Sequence, residues 1–127
     1  MPAGNKVKKK MKTKIELHNM HFYAYHGVMP HEKLIGNEFE VSIALEADIT
    51  AACASDDVND TINYAALFDL VEREMQIPSH LLEHVAGRIF RRMRAEYPQI
   101  SFLEVRLSKK HPPVKGKMEK AEIIIHT

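Results

Sequence analysis

Glu38-Phe39-Glu40-Val41-Ser42-Ile43-Ala44-Leu45-Glu46-Ala47-Asp48-Ile49 alternates with the two-residue period of an extended chain. Phe39, Val41, Ile43, Leu45, Ala47 and Ile49 fall on one face, while Glu38, Glu40, Ser42, Glu46 and Asp48 make most of the other. A strand with one apolar and one polar face belongs to an antiparallel sheet, whose second face meets solvent or another subunit. That single pattern sets the architecture the rest of the chain must fit.

The same period recurs near the C-terminus. In Phe102-Leu103-Glu104-Val105-Arg106-Leu107-Ser108-Lys109-Lys110-His111-Pro112-Pro113, Leu103, Val105 and Leu107 alternate with Glu104, Arg106 and Ser108. Continuing the alternation places Lys109 on the apolar side, before two prolines that cannot donate to a ladder end the pairing. An ammonium there is partly desolvated, which favours its neutral form and prepares a lysine for proton transfer. Equally, its stem can cover the strand end while the head snorkels into water. The stretch by itself favours the second reading.

Two further strands are expected, one from Lys12 through Tyr25 and one from Glu119 to His126. His26-Gly27 marks a break, Pro30 to Gly36 reads as a loop, and Ala51 to Asp60 as a polar connection. Between the second and third strands, Leu67, Phe68, Val71 and Met75 recur at helical spacing. They predict a helix from an Asn63 cap to about Gln76. Pro78-Ser79 interrupts, and Ser79 is placed to cap a second helix carrying Leu82, Val85, Ala86, Ile89 and Met93 until Tyr97-Pro98. The order β-β-α-α-β-β is α+β, with two helices on one face of a four-stranded antiparallel sheet. Such an open sheet has two edges, and subunit association along them is the simplest protection.

The chain has 127 residues, the length of one domain. Six lysines (Lys6, Lys8, Lys9, Lys10, Lys12, Lys14) occupy the first fourteen positions without an acid; beyond them stand twelve basic and seventeen acidic side chains, a balance of −5. Residues 1–11 therefore read as a basic, disordered extension and 12–127 as the domain. Its mildly acidic body disfavours nucleic-acid binding. No apolar run approaches the ~20 residues of a membrane span, and Cys53, alone, permits no intrachain disulfide. The expectation is a soluble cytoplasmic protein.

Candidate chemistry is scattered. His18 and His21, three apart in a strand, should face opposite ways. His80 and His84, four apart on the second helix, share a face and form a possible metal pair, but nothing nominates a third ligand. Glu83 lies in the first turn of that helix, where the dipole alone explains a carboxylate; it can also accept two hydrogen bonds from an amidine-like N–H pair. Tyr64 is either a core aromatic or a phenol acid. Glu32 and the Asp56-Asp57 pair lie in connections, where carboxylates are usually solvated.

Four segments, in order, give these candidates a common meaning. They are Phe22-Tyr23-Ala24-Tyr25-His26-Gly27 with Glu32 and Ile35-Gly36; Ser55-Asp56-Asp57 with Asp60-Thr61-Ile62-Asn63-Tyr64; Leu81-Leu82-Glu83-His84; and Val105 to Lys109 with Pro112-Pro113 and Gly116. Through them the sequence resembles dihydroneopterin aldolase of the folate pathway, over about residues 13–126. The resemblance implies the T-fold, or tunnelling fold, with sheets closed into tetrameric barrels, two rings stacked as an octamer, and active sites between subunits. It implies retro-aldol cleavage of 7,8-dihydroneopterin, a small-molecule pterin, with neither metal nor cofactor. By the same resemblance Lys109 is the main general acid/base, Tyr64 assists protonation and Glu32 holds water and substrate. Glu83 accepts from the pterin amino group and ring N–H, with the backbone of Leu82 and of Ile62 or Asn63 beside the ring. A dihydroneopterin-triphosphate epimerase, with Lys110, Lys115 and Lys117 as triphosphate candidates, is the nearest alternative. A zinc-dependent pterin synthase and a non-catalytic oligomeric scaffold are further ones.

Overall fold

The computed structural model describes residues 11–127, so the basic extension expected over 1–11 lies, apart from Met11, outside the described residues. Four strands, β1 (Lys14–Ala24), β2 (Asn37–Glu46), β3 (Phe102–Lys110) and β4 (Lys120–His126), form one antiparallel sheet in the order β1-β2-β3-β4. The alternation expected of β2 is realised: Phe39, Val41, Ile43 and Leu45 are buried, and the residues between them face outward. Register places Val41 between Met20 and Leu107, and Ile43 between Leu17 and Val105, so apolar rows cross the sheet.

Two long helices cover that face. Helix α3 (Tyr64–Met75) packs over β1, and α4 (Leu82–Glu96) over β3 and β4. Leu67, Leu70, Val71 and Met75 of the first, and Val85, Ala86, Ile89 and Met93 of the second, close the core. Asn63 caps α3 as expected, its Oδ1 accepting the Ala65 N–H at 2.9 Å. The α+β reading and its layers hold. Among the described residues, β1 and β4 are left as free edges, and no β4 residue is fully buried.

Five local expectations are corrected. Pro30–Ile35 is a short helix, α1, not a loop: Pro30 fits the first helical position, and Gly36, at φ 80°, ends it. A Cβ on Gly36 would lie 2.6 Å from the Tyr23 ring, so only glycine fits. The connection after β2 contains α2 (Thr50–Ser55), stopped by Asp56 in the left-handed conformation, and a 3₁₀ turn at Val58–Asp60. Strand β2 ends at Glu46 rather than Ile49.

The fourth concerns His18 and His21. A bulge sets Leu17 opposite Ile43 but Met20 opposite Val41, with Asn19 at φ 53° and its N–H donating to Ser42 Oγ at 2.8 Å. The extra residue flips the alternation, so both histidines are exposed on the outer face. The fifth is the start of α4. It begins at Leu82, without a side-chain cap. Consequently His80 lies before the helix and does not share a helical face with His84, and Ser79 is engaged elsewhere.

Candidate active site

Lys109 occupies the last inward position of β3, between Phe39 of β2 and Ala121 of β4, and is 7 % exposed. The side chain does not snorkel. Its Nζ donates to Oε2 of Glu32, which is only 6 % exposed although its sequence neighbourhood suggested a solvated carboxylate. The other oxygen, Oε1, accepts the Met29 N–H at 3.1 Å, the hydrogen bond by which a carboxylate in the first turn closes α1. Thus the helix that was not foreseen is what carries Glu32 inward. Gly27 makes room, since a Cβ there would stand 2.4 Å from Oε1.

Burial alone would raise the Glu32 carboxyl, but the hydrogen bonds from Lys109 and Met29 and the lysine charge outweigh it, and the group lies below its ordinary value. A buried cation and a buried acid are therefore matched, an arrangement in which both charges are tolerated inside a core.

Beneath this pair is a second polar cluster that sequence reasoning missed. His26 is fully buried, with its ring edge-on to Phe39 at 5.2 Å. Its Nδ1 accepts the Ser79 N–H at 3.1 Å, while the neighbouring Gly27 N–H donates to the Ser79 carbonyl at 3.0 Å. Ser79 Oγ bonds His84 Nδ1 at 2.7 Å and accepts from Arg88 at 2.6 Å. Arg88 also reaches Glu74 Oε1 at 3.1 Å and the carbonyls of Glu74 and Ile77 at 2.7 and 2.9 Å. In sequence, Pro78-Ser79 reads only as a break, and His26-Gly27 as a break and as part of a family segment without a role for the histidine; no local pattern marks a histidine whose partner is fifty-three residues away.

Burial first, then the Arg88 guanidinium, hold the His26 imidazole down to about 4 from an ordinary 6.5. In the unfolded chain it takes up a proton at the higher value, so stability is full above pH 6.5 and drains as pH falls toward 4. Glu32, with its lowered value, adds a loss of the same sign at the acid end of that window. The His26 part amounts to about 3 kcal/mol at about 1.4 kcal/mol per unit. Urea midpoints compared at about pH 7 and about pH 4.5, at one chain concentration, should drop accordingly. A flat profile would remove the buried neutral histidine from the account.

The other candidates lie apart from the pair within one chain. Tyr64, first residue of α3, is 69 % exposed and not a core aromatic. It lines a groove with Leu17, Met20 and Phe68 over β1, two strands away from Lys109. Ile62 is buried just before it, and Asn63 is committed to its capping bond. Leu82 and Glu83 open α4, half-buried and exposed respectively, beside a cleft formed by Pro78, Ser79, His80, Leu81 and His84. Among the described residues, no group of three or more His, Cys, Asp or Glu is arranged to hold a metal ion, and no helix is long and apolar enough to cross a membrane.

Comparison with known proteins assigns the chain to a family by sequence. Its sequence model, FolB: Dihydroneopterin aldolase, covers residues 15–126. A dihydroneopterin aldolase of Staphylococcus epidermidis is 41 % identical over 103 residues, 80 % of this chain and 85 % of the relative. One from Streptococcus pyogenes serotype M18 is 38 % identical over 107 residues, 81 % and 87 % of the two chains. In fold, the chain is similar to E. coli dihydroneopterin aldolase in complex with neopterin, with a TM-score of 0.82 at 22 % identity over 91 % of this chain and 98 % of that one. The T-fold that the resemblance implied is the fold observed. The chain belongs to the dihydroneopterin aldolase family.

Proposed function

We propose that the Glu32–Lys109 pair is the proton-handling centre of this aldolase, acting on 7,8-dihydroneopterin. The observation that carries this reading is the contact itself: an ammonium and a carboxylate, joined across seventy-seven residues of sequence at the end of an apolar strand face. Apolar residues of similar volume would serve a core as well as such a pair, so its presence points to chemistry.

The reaction needs a base, an electron sink and an acid. The 2′-hydroxyl gives up its proton, the C1′–C2′ bond breaks, and C2′ leaves as the aldehyde of glycolaldehyde. The bonding electrons pass through C1′ into the C6=N5 imine of the dihydropterin, and N5 gains a proton. Protonation at C1′ with loss of the N5 proton then gives 6-hydroxymethyl-7,8-dihydropterin. Because the substrate carries its own imine, no Schiff base with the protein is required. Lys109, its ammonium shared with Glu32, is suited to shuttle protons through water rather than to attack carbon. Glu83 and the backbone of Leu82 anchor the pterin at the start of α4, where the helix dipole and free N–H groups also point.

Tyr64 assists from a neighbouring copy in this reading. Its exposure at the β1 edge and its separation from Lys109 within one chain support a site shared between subunits. The free edges of β1 and β4 suit ring closure, and an octamer of two four-membered rings is the assembly proposed. Incubation with 7,8-dihydroneopterin should release glycolaldehyde stoichiometrically with 6-hydroxymethyl-7,8-dihydropterin. Conversion without free aldehyde would replace cleavage by inversion at C2′.

A further inference from the structure

We infer that His26 is a positioning residue, which through Ser79 fixes the distance between the pterin-anchoring end of α4 and the Glu32–Lys109 pair. The inference rests on the aldolase reading above and concerns a residue that reading leaves unused.

Two halves of the site come from different parts of the fold. Glu32 enters on α1, which follows the His26-Gly27 segment after Val28 and Met29. Leu82 and Glu83 open α4, which follows the Pro78-Ser79 turn after His80 and Leu81. The two segments are joined by a reciprocal pair of bonds, Ser79 N–H to His26 Nδ1 at 3.1 Å and Gly27 N–H to the Ser79 carbonyl at 3.0 Å. On the other side of Ser79, Arg88 bonds its hydroxyl and the carbonyls of Glu74 and Ile77, so the turn is held rigidly to both helices. His26 thus joins a braced turn to the loop that delivers Glu32.

The imidazole is a specific choice for this contact. With Nδ1 accepting, the neutral ring carries its proton on Nε2, a buried atom whose nearest compensation among the described residues is the Met75 backbone. A buried ring spending its one acceptor on the Ser79 turn is suited to setting geometry there. The ring is faced by Arg88 from α4, Lys33 from α1 and Lys109 from β3, with Phe39 of β2 against its edge and the Met75 backbone from α3. Those cations favour the neutral ring and so keep the Nδ1 lone pair available.

Three full-length variants test this. His26→Asn offers an amide oxygen close to the position of Nδ1, His26→Gln places it nearer Nε2, and His26→Phe keeps volume without an acceptor. In each assembled variant, titration with neopterin counts binding sites, and glycolaldehyde release is expressed per occupied site. His26→Asn should retain at least about one third of wild-type turnover, while His26→Phe and His26→Gln lose roughly tenfold or more, with neopterin affinity and site number unchanged. Wild-type turnover in the Phe or Gln variant, an Asn variant as slow as Phe, or a loss of turnover matched by lost neopterin sites overturns the inference. Should the Phe variant not assemble, the contrast between Asn and Gln decides alone. Wild-type protein that releases no glycolaldehyde overturns the aldolase reading instead, whatever the variants do.

Discussion

Lys109→Ala should lower turnover by roughly a thousandfold, the middle of the range for a positioned acid–base group, while neopterin affinity changes less than about threefold. The lysine lies in β3 and the proposed anchor at the start of α4, so binding and proton transfer are served by different elements. An interaction realised only as the bond breaks affects kcat and kcat/KM alike and leaves ground-state binding alone. The substitution has a second consequence that must be separated from the first. It strips the Glu32 carboxylate of its main partner and leaves a buried charge with one backbone N–H. Breaking a buried pair in this way costs about 3–5 kcal/mol. A drop in activity could then reflect unfolded protein.

The double variant Lys109→Met with Glu32→Gln resolves this. It removes both charges, keeps the volume of both side chains, and should recover most of the stability lost in Lys109→Ala. Turnover should not return. Activity within tenfold of wild type in either correctly assembled variant would sink the assignment of Lys109. Recovery of activity with stability would make the pair structural.

What could be read from the sequence follows a physical division. The inward rows of β2 and β3 were legible because a half-buried antiparallel strand repeats every two residues. Helices α3 and α4 were legible because three or four turns carry an apolar stripe. Helices α1 and α2, six residues each, are too short to display one. The bulge at Asn19 was invisible for another reason: one inserted residue reverses every facing after it, and the apolar residues alone do not say where the insertion falls.

The site divides in the same way. Strand parity placed Lys109 on the buried face, but the stretch by itself favoured an ammonium that escapes to water. Only tertiary structure overturns that, by bringing Glu32 to it. Glu32 entered the list through family resemblance, since its local setting argued for a solvated loop. His26 lay in a segment that carries the resemblance, but neither route gave it a role. Its Ser79 partner and its burial are properties of the folded chain, and a histidine before a glycine carries no periodic signal.

Glu83→Ala should weaken neopterin binding by roughly a hundredfold, about 3 kcal/mol, in the range for truncating one side of a charged hydrogen-bonded pair that is buried on binding. The side chain is exposed in the second residue of α4, so its loss should leave folding within about 0.5 kcal/mol of wild type. A carboxylate suits the pterin edge because two oxygens can accept from an amino group and its adjacent ring N–H together, a geometry a single amide oxygen cannot reproduce. Glu83→Gln should therefore fall between wild type and alanine, keeping one acceptor but losing the charge. The kinetic pattern should be the opposite of that for Lys109. If Glu83 holds the pterin equally in the ground state and as the bond breaks, KM rises while turnover at saturation changes little. Titration calorimetry of the alanine variant with neopterin provides the decisive number. Affinity equal to wild type would move the anchor elsewhere on the α4 cleft, and a fall in saturated turnover as large as that for Lys109→Ala would mean that Glu83 takes part in proton transfer.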